Sequence, residues 1–250
     1  LAGLGLDLGQ QSNIELDLES RSLKSPRAFC AVIRCPGQVK LVINPRGGRS
    51  DYHALFHEAG HAEHYGNTSA ELPYAFRKMG DASLSEAYAF LFDNLLAAEA
   101  WLHDVLGQRR QREFLRFERL YKVFMVRRYC GKLLFELELH RSGDNLEPLG
   151  EAYRGLLNSA TGVENATSRF LEDLDDHFYS AQYLRAWIAE AQLRRHLEAR
   201  YGETWFEDPA AGEFLAGLWR QGTSLDVVDL VRLAGSQELG IAPLLEEVLA

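Results

Sequence analysis

The stretch DYHALFHEAGHAEHYGN, residues 51 to 67, carries four of the chain's eight histidines. His53, His57, His61 and His64 recur at spacings of four, four and three, and side chains so spaced stack along one face of a helix. Within the column, His57-Glu58-Ala59-Gly60-His61 is an H-E-x-x-H sequence. Its two imidazoles stand about one helical turn apart, within reach of a single tetrahedral zinc, and Glu58 falls where a general base meets the attacking water. His53 and His57 share the spacing but have Ala54 where the base is needed, so they rank below His57 and His61. The bare motif arises by chance in about one or two such chains per hundred, so context must raise it. Leu55, Phe56, Ala59 and Ala62 give the helix an apolar side that turns the motif toward a core, and Gly60 permits close backbone approach. Buried imidazoles without a metal each need another polar partner.

The remainder of the 250 residues reads as mainly α with a small antiparallel β hairpin. In AFCAVIRCPGQVKLVINP two strands are expected, Phe29 to Arg34 and Val39 to Asn44, turned at Pro36-Gly37. Helical periodicity then covers 52–65, 84–106, 109–140 with Gly131 as a weak point, 149–157, 166–174, 181–200, 211–220, 225–233 and 243–249. Residues 1–21 read as an acidic lead segment and 22–250 as one domain. The first residue is Leu1 and not Met, as expected of the C-terminal part of a longer protein.

Charge and cysteine usage narrow the function classes. A net charge of -9, with the basic clusters at 109–112 and 194–195 set among acids, argues against nucleic acid as a partner. No apolar run approaches the roughly eighteen residues of a membrane span, and the opening is acidic where a signal peptide is basic. Cys30, Cys35 and Cys130 form no zinc-knuckle pair and are too few for a disulfide framework, which fits a reducing, cytoplasmic compartment.

A catalytic zinc usually takes three protein ligands and keeps one position open. Glu86 and Asp93 lie on one face of the predicted 84–106 helix, Glu86 as the stronger ligand candidate and Asp93 behind it as a partner to a ligand. Ser83 to Glu86 also has the form of a capping box, as does Thr68 to Glu71, and a capping glutamate needs no metal. Spacing alone leaves Glu86, Glu71, Asp81 and Asp93 open.

With these residues the sequence resembles the thimet oligopeptidase, neurolysin and oligoendopeptidase F family of zinc peptidases, whose third ligand is a glutamate 25 residues after the second histidine; His61 to Glu86 is 25. His64 and Asp51 also stand where the family has a histidine and an aspartate around the motif. A second block, HFYSAQYLRAW at 177–187, resembles the family's tyrosine-rich tract, with His177, Tyr179 and Tyr183 on its histidine and tyrosine positions and Leu184 or Ala186 where members often have a further tyrosine. Read without the resemblance, Tyr179 and Tyr183 simply pack a helix into the core.

The resemblance implies a helical zincin-like catalytic domain in residues 22–250, with one zinc held by His57, His61 and Glu86 and with Glu58 as general base. It gives Tyr183, Tyr179 and His177 hydrogen bonds to the oxyanion, and it implies an outer strand, Val39 to Asn44, whose Val39, Leu41, Ile43 and Asn44 hold an extended peptide. The expected activity is endopeptidase cleavage of short peptides. The family's N-terminal lobe is not found here, and the apolar face on which it docks favours self-association. Two rivals stand beside this reading. A dipeptide-releasing carboxypeptidase of the same clan needs a cation for the substrate's terminal carboxylate. A helical scaffold protein predicts a closed four-ligand zinc that recruits His53 or His64.

Overall fold

The computed structural model describes residues 1–108, 111–143 and 145–249. Three short strands come first: β1 (Ile14–Asp17), β2 (Phe29–Arg34) and β3 (Gln38–Val42). They form one mixed sheet in the order β1-β3-β2, with β2 antiparallel and β1 parallel to β3. The β2–β3 hairpin is the expected one. Strand β1 was not expected, because four residues with one buried side chain, Ile14, carry almost no periodicity.

That extra strand overturns two expectations. Residues 1–21 are not a separate lead: Ile14 packs with Val39, Leu41, Ile43, Ala59 and Ala62, and Leu4 is buried in the main core. Nor is β3 an outer strand. It lies between β1 and β2 with Val39 and Leu41 fully buried, while Ile43 and Asn44 lie beyond its end and the Ile43 amide donates to the Asp17 carbonyl. Both its edges are paired, so Val39, Leu41 and Ile43 offer a peptide no backbone groups, and Asn44 is not part of the strand. The edge strand on the far side of β3 from β1 is β2.

Helix α1 (Arg49–Asn67) carries the histidine column, and after short α2 (Tyr74–Lys78) comes α3 (Ala82–Asp93), in which every residue from Ser83 to Phe92 is buried. The tract expected as one helix to residue 106 breaks at Asn94 into a 3-10 turn (Asn94–Ala97) and α4 (Glu99–Asp104). Asn competes for backbone hydrogen bonds and so favours such ends. Helix α5 (Arg112–Arg141) passes Gly131 unbroken, since that glycine serves packing: a Cβ there would lie 3.0 Å from the Ala160 Cβ of α6 (Leu149–Thr161). Arg109 and Arg110 lie outside the described residues. The tract 166–174 forms only one 3-10 turn (Thr167–Arg169) and is held by Tyr153 and Arg128, both bonded to Asp173. Helix α7 (Tyr179–Tyr201) follows, then α8 (Pro209–Trp219), α9 (Val227–Leu233) and α10 (Ala242–Leu249).

The core lies around α3, which packs on α1 on one side and α7 on the other. Among the described residues no helix is long and apolar enough to cross a membrane.

Glu63 of α1 shows how the first residues are tied in. Its carboxylate is fully buried and accepts from Gln11 Nε2 and Asn67 Nδ2, each at 2.8 Å. Burial, only partly offset by those bonds, pushes its pKa up from 4.5 to about 7. A carboxyl raised in the folded state binds its proton more tightly there than in the unfolded chain. Its stabilising share is therefore whole below pH 4.5 and is lost as pH rises through 7. Glu63→Gln is expected to remove a fall of roughly 3 kcal/mol in unfolding free energy between those limits. Urea denaturation of parent and variant across the pH range measures it, and parallel profiles contradict the assignment.

Candidate metal and catalytic site

The site depends on how closely α1 and α3 approach. A Cβ at Gly60 would stand 2.5 Å from the Ala89 Cα and 2.6 Å from the Tyr88 carbonyl oxygen, so only glycine fits. This contact sets the imidazoles of His57 and His61 over Glu86. His57 Nε2 and His61 Nε2 are 3.3 Å apart, and Glu86 Oε2 is 3.4 Å from the first and 3.7 Å from the second. The three form one potential ligand group.

The other ring nitrogens are engaged from behind. His57 Nδ1 faces Asp93 Oδ2 at 3.0 Å and His61 Nδ1 faces Ser85 Oγ at 2.8 Å. Such partners fix ring orientation and leave Nε2 free to ligate. Glu86 Oε1 accepts from the Tyr179 hydroxyl at 2.7 Å, whereas Oε2 is buried with no hydrogen-bond partner.

These residues fit a zinc ion. Donor atoms about 2.0–2.2 Å from a tetrahedral zinc stand roughly 3.3–3.6 Å from one another, close to the 3.3, 3.4 and 3.7 Å found here. A buried carboxylate oxygen with no donor, beside two imidazole nitrogens, is costly unless a cation takes all three lone pairs.

Electrostatics of the protein groups alone set the two imidazoles apart. Burial lowers the His61 pKa to about 4, so this imidazole is neutral and able to ligate. Burial also pulls on His57, but Asp93 and Glu86 together hold it well above its usual value. Glu86 is pushed up by burial and more than compensated by His61 and His57, and stays ionised. Glu58 is raised, chiefly by burial, with His57 and the Cys30 amide acting against the rise. A raised carboxyl beside the ligands suits a group that must take up and give back a proton.

The alternatives for the third ligand are sorted by their contacts. Asp81, not Ser83, caps α3 by accepting from the Ser83 amide, so Glu86 is free of capping. Thr68 ends α1 with its hydroxyl on the His64 carbonyl, and Glu71 is exposed. Asp93 holds His57. Of the two histidines that a closed site would recruit, His64 is fully buried with Nε2 3.2 Å from the Gly222 carbonyl, and His53 Nε2 is 3.7 Å from Asp93. Neither belongs to the ligand group.

Of the tract at 177–187, the structure brings two residues to the site. Tyr179 bonds Glu86, and the Tyr183 ring packs on Tyr179 at 5.0 Å and on Phe90 at 5.6 Å. His177 is not brought there: it is exposed, in a left-handed conformation (φ 57°), and is bonded to none of the site's residues. Beside His61 and Glu86 a cleft opens, lined by Cys30 and Val32 of β2 and by Tyr65 and Lys78, with the Lys78 ammonium 2.8 Å from the Val32 carbonyl. Sequence reasoning did not single out Ser85, although its place next to Glu86 was a usable clue. It also missed the role of β2 as the strand beside the ligands.

No protein-family profile matches the sequence, and no curated protein does. The fold does match solved structures. The M32 carboxypeptidase from Deinococcus radiodurans R1 superposes with a TM-score of 0.68 at 19% identity, over 98% of this chain and 55% of that one. Trypanosoma cruzi metallocarboxypeptidase 1 gives 0.66 at 15%, over 100% and 59%. A structure of PZ peptidase A with an inhibitor gives 0.71 at 17%, over 93% and 42%. The chain thus spans about half the length of the structures it matches, and it has the helical zincin-like fold that the sequence implied.

His61→Ala and Glu86→Ala are expected to lose bound zinc, while Glu58→Gln keeps it. Zinc per chain after gel filtration, measured on the three variants beside the parent, checks this division. Full occupancy in Glu86→Ala would remove Glu86 from the ligand set.

Proposed function

We propose that this chain is a zinc-dependent hydrolase of short peptides, acting in the cytoplasm, with His57, His61 and Glu86 as metal ligands. The observation that carries the reading is the convergence of three donors, one of them the unpartnered Oε2, with the base Glu58 one residue from a ligand. When bound there, zinc supplies a Lewis acid for the water and the scissile carbonyl. Glu58 takes the water's proton and returns it to the leaving amine, a transfer that its raised pKa favours. Asp93 and Ser85 keep the two imidazoles aimed. Tyr183, its hydroxyl not fully buried and without a partner among the described residues, donates to the carbonyl oxygen as charge develops, and Tyr179 steadies Glu86. The peptide lies extended beside β2, whose edge faces the cleft, in place of the strand expected from sequence. Three free cysteines agree with a reducing compartment.

Within this reading the first form is an oligopeptidase of the thimet type, supported by the 25-residue interval from His61 to Glu86 and by Tyr179 and Tyr183. A carboxypeptidase is the second form. It is favoured by Lys78, a cation in the cleft of the metal ligands, and by the two carboxypeptidases among the matched structures. Exposed Phe117, Leu120, Leu134 and Leu137 along α5 are the apolar side chains through which copies would associate.

The expected result is chelator-sensitive cleavage of a short quenched peptide by the zinc-loaded protein, falling roughly a hundredfold or more in Glu58→Gln. Mass spectrometry of the products from free-acid and C-terminally amidated peptides separates the two forms. Internal cleavage that survives amidation is the oligopeptidase outcome, and cleavage abolished by amidation is the carboxypeptidase outcome. No cleavage of any peptide by fully loaded protein would overturn the proposal.

A further inference from the structure

We propose that Tyr129, a residue of α5 far from both sequence motifs, is a substrate-binding residue of this site, its hydroxyl donating a hydrogen bond to the bound peptide alongside Tyr183. The assignment rests on the peptide-hydrolase reading above. It starts from a row of three phenols. Tyr179 and Tyr183 meet edge to face at 5.0 Å, and Tyr183 and Tyr129 meet in the same way at 4.8 Å. The row begins at the metal ligand, where the Tyr179 hydroxyl is committed to Glu86 Oε1. Among the described residues the hydroxyls of Tyr183 and Tyr129 have no hydrogen-bond partner, and neither is fully withdrawn from solvent. Two phenol donors therefore continue the row that starts at Glu86, with no acceptor for either among the described residues.

Packing alone does not account for Tyr129. Its ring is held from three sides: Tyr183, Trp187 at 5.4 Å, and the Lys132 ammonium 5.0 Å from the ring centre. Lys132 is itself tied to Asp175 in the segment that leads into Tyr179, so the ring has a fixed orientation. A phenylalanine would fill the same space against the same neighbours. What the tyrosine adds is one hydrogen-bond donor, the usual pattern of an aromatic that packs with its body and binds with its tip. Burial, with Glu86 and Asp175 adding to it, raises the phenol pKa, so the hydroxyl keeps its proton and remains a donor throughout the working range. The acceptor that suits a neutral donor near a buried carboxylate is a peptide carbonyl or the oxygen it becomes, not a second cation.

Tyr129→Phe keeps the ring and removes the donor. The zinc-loaded parent and variant are compared by calorimetric titration with a peptide phosphinate, an analogue of the tetrahedral state, and by kcat/KM on the quenched peptide. Zinc content and thermal melting are recorded for both. The expected result is unchanged zinc and melting, with phosphinate affinity and kcat/KM both lowered about tenfold, the usual effect of one lost hydrogen bond. If the variant binds the phosphinate as tightly as the parent, Tyr129 only packs and the assignment is overturned while the peptide-hydrolase reading stands. If the variant loses zinc or melts early, the hydroxyl is structural and the assignment is again overturned. A fully loaded parent that neither binds the phosphinate nor cleaves the peptide overturns the hydrolase reading, and Tyr129 with it.

Discussion

Everything at this site depends on the contact between α1 and α3 at Gly60. Two helices usually pack with their axes about 8–10 Å apart, and glycine at the crossing brings them to the near end of that range. Any side chain at position 60 would have to displace the backbone of Tyr88 and Ala89, and overpacking of this kind costs about 1–3 kcal/mol. The penalty for function is geometric. His57 and His61 lie on α1, three residues before Gly60 and one after it, and Glu86 lies on α3 three residues before Ala89. A shift of the crossing would move both imidazoles away from Glu86 together.

The same crossing explains why a charged residue is tolerated in the most buried helix of the chain. Helix α3 is covered by α1 on one side and α7 on the other, so Glu86 is almost wholly withdrawn from water and depends on its neighbours. His57 supplies positive character, Tyr179 supplies a donor to Oε1, and Oε2 is left for a cation. Asp93, the last residue of α3 before the helix breaks at Asn94, orients His57 from the helix that also carries Glu86. The break therefore falls just after the last residue of α3 that serves the site.

The legible parts were those with strong local periodicity. The histidine column could be read because a 3.6-residue repeat puts His57, Glu58 and His61 in fixed relation before any tertiary contact is known. Glu86 was not settled by local chemistry, since a capping box explained it equally well, and only its interval from His61 singled it out. The helix count was overestimated at 166–174, where the chain is held by side-chain bonds to Asp173. The order of strands was misread because β1 contributes a single buried residue and pairs in parallel with a strand more than twenty residues away. Tyr129 was invisible for a related reason: it is one of several aromatics on α5, and only its ring contact with Tyr183 distinguishes it. His177 was misplaced because its neighbours in sequence are site residues, whereas its left-handed backbone turns it to the exterior.

The central claim is that two imidazoles and one carboxylate of this chain, and nothing else of the protein, hold a metal. X-ray absorption on the zinc-loaded protein reads that donor set directly. The account predicts a first shell of nitrogen and oxygen only, at about 2.0–2.2 Å, with the outer-shell scattering of two imidazoles. A sulfur contribution, which Cys30 at the edge of the cleft would supply, or a third imidazole from His53 or His64, would contradict it.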